Sequence, residues 1–284
     1  MSEDGSEVDL SDASDGANRI ELESHFVRHR NAMVARADFG PLYEDYYLHL
    51  MQAEIKLTRD QDELLKDALA ALALHLFSHP AGLSAAWTLN FNDPPLNLFV
   101  TGDRDSGNVV GRVFTQDVKV GPSNLFYSQV ASPRNPVRQS TIEFEGHDLF
   151  RIVEAYYVQS EQFPARLFRL GGDEAAMVTA HPDCDMDWYR GLNETLVANL
   201  AEDEELGFLE RLPYHFGCGC RLITIVKVLT NTFGRDPEQV FAGKEDMSVV
   251  CPRCAGSFHL DRPTFAQALD LLDRTEKSEA EGPE

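Results

Sequence analysis

Residues 85–115 read AAWTLNFNDPPLNLFVTGDRDSGNVVGRVFT, and this stretch sets the expected fold class. Asn92-Asp93-Pro94-Pro95 and Gly102-Asp103 carry turn chemistry: proline presets one backbone angle, and Gly, Asn and Asp tolerate the left-handed region. These turns divide the stretch into strands at Ala85–Phe91, Leu96–Thr101 and Val109–Thr115. Val137–Phe144 and the short Asn31–Phe39 also read as strands. Pro164–Leu170 and Ala175–Ala180 form a hairpin joined through Gly171-Gly172. Helical spacing of Tyr43, Tyr46, Tyr47, Leu50, Met51 and Ile55 predicts a helix over Leu42–Leu57. A second helix covers Asp62–Phe77 and stops before Pro80-Ala81-Gly82, and a third covers Asp148–Gln159. Strands and helices mix without a βαβ rhythm, so the expected class is α+β with a mostly antiparallel sheet.

The domain plan follows. Residues 1–18 are acidic, rich in Ser, Gly and Asp, and read as a disordered tail. The α+β domain takes residues 19–187. Residues 188–213, with Glu202-Asp203-Glu204-Glu205 in a row, read as a helical linker. A small module spans 214–272, and 273–284 is expected to be a second disordered tail.

Of 284 residues, 43% are hydrophobic, enough for a real core. The 47 acidic and 25 basic residues leave a formal charge of −22. A field of that sign repels phosphate backbones and argues against nucleic acid as a partner. The beginning, MSEDGSEVDL, has neither the basic nor the apolar region of a signal peptide. The most apolar run, Ala68–Phe77, is too short for a bilayer core of roughly 30 Å. The expectation is a cytoplasmic protein without a membrane partner, where clustered cysteines read as metal ligands or redox thiols before permanent disulfides.

Four of the five cysteines form two close pairs, Cys218-Gly219-Cys220 and Cys251-Pro252-Arg253-Cys254. Folding that joins the pairs supplies four soft sulfur ligands in the tetrahedron Zn²⁺ prefers. The expected metal ligands are therefore Cys218, Cys220, Cys251 and Cys254, holding one Zn²⁺ per chain. The competing reading is four reduced core cysteines. A helix over Leu222–Phe233, a strand over Ser257–Leu260 and a helix over Pro263–Leu272 complete a module with a thin core, the kind that needs a staple. Cys184 reads as a spare loop thiol. His181 and His259 are not needed as ligands, since four thiolates already close the site. Such a site has no open position for water. No P-loop, G-x-G-x-x-G, G-x-S-x-G or H-E-x-x-H occurs. No catalytic residue is assigned, and no enzyme activity is expected.

Three stretches together resemble the thirty-three-kilodalton heat-shock protein family of redox-switched holdase chaperones. One is C-x-C, thirty residues, then C-x-x-C, followed by Phe258–Arg262 (FHLDR). The second is Tyr156–Phe168, YYVQSEQFPARLF, with Ser160-Glu161-Gln162 and Pro164. The third is Pro95-Leu96-Asn97-Leu98 followed by Gly111-Arg112-Val113. The resemblance implies zinc on four thiolates at rest, and disulfides Cys218–Cys220 and Cys251–Cys254 after oxidation. It also implies zinc release, unfolding of the module, ATP-independent binding of unfolded client proteins, and a homodimer on oxidation. The segment before the first cysteine pair is shorter than the family's linker. A second reading therefore keeps zinc as a plain staple in a constitutive partner-binding protein. A third, a thiol–disulfide oxidoreductase using Cys251 and Cys254, lacks a thioredoxin-like βαβ setting. Ser160, Glu161 and Gln162 receive no chemistry; they read as a polar helix end that orders the next strand. Phe150, Tyr156, Tyr157, Phe163 and Phe168 read as core.

Overall fold

The computed structural model describes residues 18–133 and 135–280. The expected tail falls outside them except for Asn18, as do residues 281–284. Contacts divide the chain into a large unit, Ala17–Cys218, and a smaller one from Gly219 onward.

The large unit is built on ten strands. They are β1 (Arg19–Val27), β2 (Ala32–Asp38), β3 (Ser84–Asn92), β4 (Pro95–Asp103), β5 (Asn108–Phe114), β6 (Asn124–Ser132), β7 (Asn135–Phe144), β8 (Ala165–Gly171), β9 (Glu174–Ala180) and β10 (Leu206–Phe216). They form one sheet in the order β7-β6-β3-β4-β5-β10-β1-β2-β9-β8. Every described pairing is antiparallel except β10 with β5, which share only His215↔Asn108 and Phe216↔Val109. The α+β, mostly antiparallel expectation holds. β1, β6 and β10 were not anticipated, and the predicted strands lie where the turn chemistry placed them.

Helix α1 (Gly40–Gln52) stops short of the expected Leu57. Glu54 takes φ +53°, and the Ile55 amide folds back to the Leu50 carbonyl at 2.9 Å. Helix α2 (Arg59–Phe77) starts at a capping box in which Thr58 and Gln61 each bond the other's amide. From Ala68 to Phe77 it is buried all round, which explains the apolar run at His75's neighbours: this is a core helix. It packs close against β5, where a Cβ added to Gly111 would lie 2.8 Å from a Leu65 methyl. That is a physical reason for glycine in Gly111-Arg112-Val113.

Helix α3 (Leu149–Tyr156) runs into a π turn, Tyr157–Glu161. The segment expected to be a helical linker over 188–213 is helical only in part. Three short helices, α4 (Met186–Gly191), α5 (Glu194–Ala198) and α6 (Leu200–Asp203), are followed by β10. Tyr189, Leu192, Val197 and Leu200 bury against Val34, Phe168 and Val178 of the sheet. One nitrogen of the Arg166 guanidinium donates to the carbonyls of Tyr189, Arg190 and Leu192. β10 then pairs with β1 from Arg19↔His215 to Val27↔Leu206. The stretch is thus part of the large domain, which extends well past the expected boundary at 187.

The smaller unit contains α7 (Leu222–Phe233), α8 (Pro237–Phe241), a hairpin of β11 (Asp246–Val250) and β12 (Ser257–Asp261), and α9 (Arg262–Ala280). Helix α9 continues through residues 273–280, where a disordered tail was expected. The core of the unit is small: Ile225, Val226, Leu229, Val240, Phe241, Leu260, Phe265, Ala268 and Leu272. Among the described residues no helix is long and apolar enough to cross a membrane.

Candidate metal centre

Cys218 and Cys220 lie between the end of β10 and the start of α7. Gly219 separates them with φ +61°, a backbone state that glycine adopts without strain. The other pair sits in the turn between β11 and β12. There the Cys251 amide donates to the Gly256 carbonyl at 2.8 Å, and the Ala255 amide to the Cys251 carbonyl at 2.9 Å. These bonds close the turn around the sulfurs. The Gly256 amide also donates to Cys254 Sγ at 3.3 Å, a bond that orients the sulfur and tempers its charge when it is a thiolate.

The four sulfurs lie within 4.8 Å of one another. Metal–thiolate bonds of about 2.3 Å in a tetrahedron put sulfurs roughly 3.8 Å apart, and Cys220 Sγ stands 3.5 Å from Cys254 Sγ. Cys251 and Cys254 are buried; Cys218 and Cys220 are half-buried. The five cysteines stand as thiols rather than disulfides. This donor set could hold a metal ion, and four sulfurs fill a tetrahedron with no position left for water. The fold therefore brings the four sequence-predicted residues together. His259 is on the exposed side of β12 and outside the group. Cys184 is outside the group too, and packs, like Met186 and Trp188, against the buried cluster around Val34 and Phe168. Burial, then the Asp185 charge, raises the Cys184 thiol above its ordinary range, so it is a poor nucleophile.

The structure gives Ser160-Glu161-Gln162 a role that the sequence reading did not assign. All three sit at the end of the π turn, with Gln162 at φ +63°. The Glu161 side chain is only 4% exposed. Its two oxygens each accept from Arg138 at 2.9 Å, and one accepts from the Tyr156 hydroxyl. His79 Nε2 lies 3.9 Å away. Burial alone would raise this carboxyl, but His79, Tyr156 and Arg138 outweigh it and hold Glu161 at about 2. Ser160 donates to Ser140 of β7 at 2.7 Å. The motif thus fastens the π turn to β7. Beside it, His75 Nδ1 is 2.7 Å from the Tyr157 hydroxyl, and burial, then His79, pushes His75 well below its ordinary range. Phe150, Tyr156, Tyr157 and Phe168 are buried, as expected of core, whereas Phe163, expected with them, is half-buried. A usable signal was an acid embedded among Tyr156, Tyr157 and Phe163; its partner Arg138 is invisible without the fold.

No family model matches the chain. The 33 kDa chaperonin of Azotobacter vinelandii is 25% identical over 173 residues, covering 51% of this chain and 58% of that protein. The 33 kDa chaperonin of Edwardsiella ictaluri is 26% identical over 150 residues, covering 44% and 51%. The chain thus spans about half the length of the curated relatives it matches. Among solved structures, the crystal structure of the 33 kDa chaperonin (heat shock protein 33 homologue) of Thermotoga maritima matches with a TM-score of 0.65 at 12% identity. That match covers 91% of this chain and 99% of the other. The family resemblance drawn from the motifs holds in sequence, and the fold is shared.

Proposed function

We propose that this chain, a divergent relative of the 33 kDa chaperonins, is an ATP-independent holdase switched on by oxidation of Cys218, Cys220, Cys251 and Cys254. The observation that carries the reading is four sulfurs within 4.8 Å, three of them on a unit with a nine-residue core. At rest the four thiolates hold one Zn²⁺, which supplies the folding free energy that so small a core lacks. Thiolates are the nucleophiles toward oxidants. Each pair of thiolates gives two electrons to one hypochlorous acid, forms one S–S bond and releases one chloride and one hydroxide. The resemblance pairs Cys218 with Cys220 and Cys251 with Cys254. With no thiolate left, the chain loses its hold on the metal and the small unit unfolds. Ile225, Val226, Leu229, Phe241 and Phe265 then become apolar surface for unfolding clients. The reading makes the protein non-enzymatic and cytoplasmic, with unfolded polypeptides as partners and a homodimer on oxidation.

One observation favours a second reading, a constitutive binder with zinc as a staple. The strand leading to the first cysteine pair is bonded along β1 from Arg19 to Val27, so metal loss need not loosen the sheet. The discriminating experiment titrates hypochlorite while a chromogenic chelator reports zinc and light scattering follows a denaturing client in the same samples. Release of about one zinc per chain for about two hypochlorite, with scattering falling in parallel, supports the holdase. Zinc release with unchanged scattering leaves the staple.

A further inference from the structure

We propose that strand β7 is a docking edge for an extended segment of unfolded polypeptide, with a basic side chain at its Glu143–Glu145 end and an apolar one at its Pro136 end. The proposal deepens the holdase reading and rests on it for the nature of the partner. β7 and β8 are the two outer strands of the sheet. The β8 edge is occupied. The Leu167 amide donates to the Glu154 carboxylate at 2.9 Å, and α5 packs alongside. α3 and the π turn pack against β7 as well, through side chains such as Arg138 and Ser140, but no main-chain hydrogen bond of β7 reaches any group but β6 among the described residues. Val137 is 62% exposed. An unpaired edge offers a row of N–H and C=O groups to any extended chain, independent of its sequence.

A second copy is a poor occupant. Two chains at −22 repel, while Pro136 and the register shift between Val130 and Ser132 confine regular pairing on this edge to Arg138–Phe144. The ends of β7 say what fits better. A cleft of about 1040 Å³ lies at the Pro136 end, with Val130, Pro133 and Phe163 in its walls. A notch of about 370 Å³ lies at the other end, lined by Glu143, Glu145 and Arg151. Arg151 is already paired with Glu154 at 2.7 Å, so the notch keeps an excess of negative charge. Pro136 and Phe144 are separated by roughly 27 Å of strand at about 3.4 Å per residue, the span of an extended nonapeptide. All neighbours in this half of the sheet run antiparallel. An antiparallel arrival puts the basic residue near the segment's N-terminus.

The test uses the full chain after hypochlorite treatment and a fluorescein-labelled nonapeptide of alternating Val and Thr, with an N-terminal lysine and a C-terminal phenylalanine. Amide exchange across residues 138–144 should slow when the peptide binds, and N-methylation of alternate peptide amides should abolish binding. Glu143→Lys with Glu145→Lys should weaken binding by about two- to five-fold, as for exposed ion pairs, and the Lys→Glu peptide should regain that loss. The inference is overturned if the N-methylated peptide binds equally, if exchange over 138–144 does not change, or if no peptide binds. Suppressed client aggregation with unchanged exchange on β7 sinks the docking edge and leaves the holdase standing. Peptide addition to β7 without suppression of aggregation does the reverse.

Discussion

Glu161→Gln should destabilise the large unit by about 2 kcal/mol at pH 7, and the loss should shrink as the solution is acidified. The carboxyl sits at about 2 against an ordinary value of 4.5. At 1.36 kcal/mol per pH unit, that difference sets a ceiling of about 3 kcal/mol. His79 contributes more than Arg138 to this shift; Arg138 is 54% exposed, and solvent screening of its share brings the expectation to about 2 kcal/mol. The amide keeps a hydrogen-bond acceptor for Tyr156, yet leaves Arg138 with no charge to meet. A folded-state value below the unfolded one stabilises above the unfolded value, and that stabilisation is lost as pH falls toward the folded one. The wild-type advantage should therefore be full above about pH 5 and roughly halved by pH 3. Urea unfolding followed by tryptophan fluorescence, at steps from pH 7 to pH 3, reads this directly, since Trp87 and Trp188 both lie in the large unit. In thermal melts the gap should be about 4–8 °C at pH 7 for a unit of this size. A variant as stable as wild type at pH 7, or a gap unchanged at pH 3, would refute the assignment of Glu161 as the tie between the π turn and β7.

Three further outcomes follow from the smaller unit. Cys254→Ser removes a proposed ligand and the acceptor of the Gly256 amide, and zinc affinity measured by chelator competition should fall by more than about a hundredfold. Phe265→Ala empties a site that is 0% exposed and edge-on to Phe241 at 5.6 Å. It should cost about 3 kcal/mol or more, and linkage should carry that into a zinc affinity lower by about a hundredfold, although no ligand is touched. Stripping the metal with a chelator under reducing conditions should free the amides of 222–272 to exchange while those of 19–216 stay protected, measured by hydrogen exchange with mass spectrometry. Loss of protection along β10 in that experiment would show that the large unit depends on the metal as well.

The reach of the sequence can be judged from particular elements. Helix α2 was legible because Ala68–Phe77 is apolar on every side, as a core helix must be. Strands β3, β4 and β5 were legible because their turns carry proline, glycine and aspartate. β10 was not. Only Tyr214 and Phe216 of its eleven residues are buried, so periodicity was weak, and the acidic run just before it favours helix. Its state is set by β1 and β5, which come from distant parts of the chain, the usual way tertiary context overrides local preference. The cysteine group was legible because its cysteines come in close pairs, and softness and spacing are local properties. The Glu161 network was not, since Arg138 and His79 reach it from β7 and from the turn after α2.

The energetics of the cysteine group bear on whether oxidation can act as a switch. A structural zinc contributes roughly 10–16 kcal/mol of apparent folding free energy in modules of this kind. With the pairing that the resemblance implies, the two disulfides would close loops of only three and four residues. Loop-closure entropy gives such short links about 1.5–2 kcal/mol each, so together they replace less than half of what the metal supplied. The remaining core of nine side chains must offset the ordering of a long stretch of backbone at about 1–2 kcal/mol per residue, a balance that small domains seldom meet without a staple. The large sheet has no such dependence, because its ladder bonds lie between its own strands. On the proposed reading, oxidation of the four sulfurs would unfold one unit and spare the other. An unfolded apolar segment tethered to an intact scaffold is what a holdase needs.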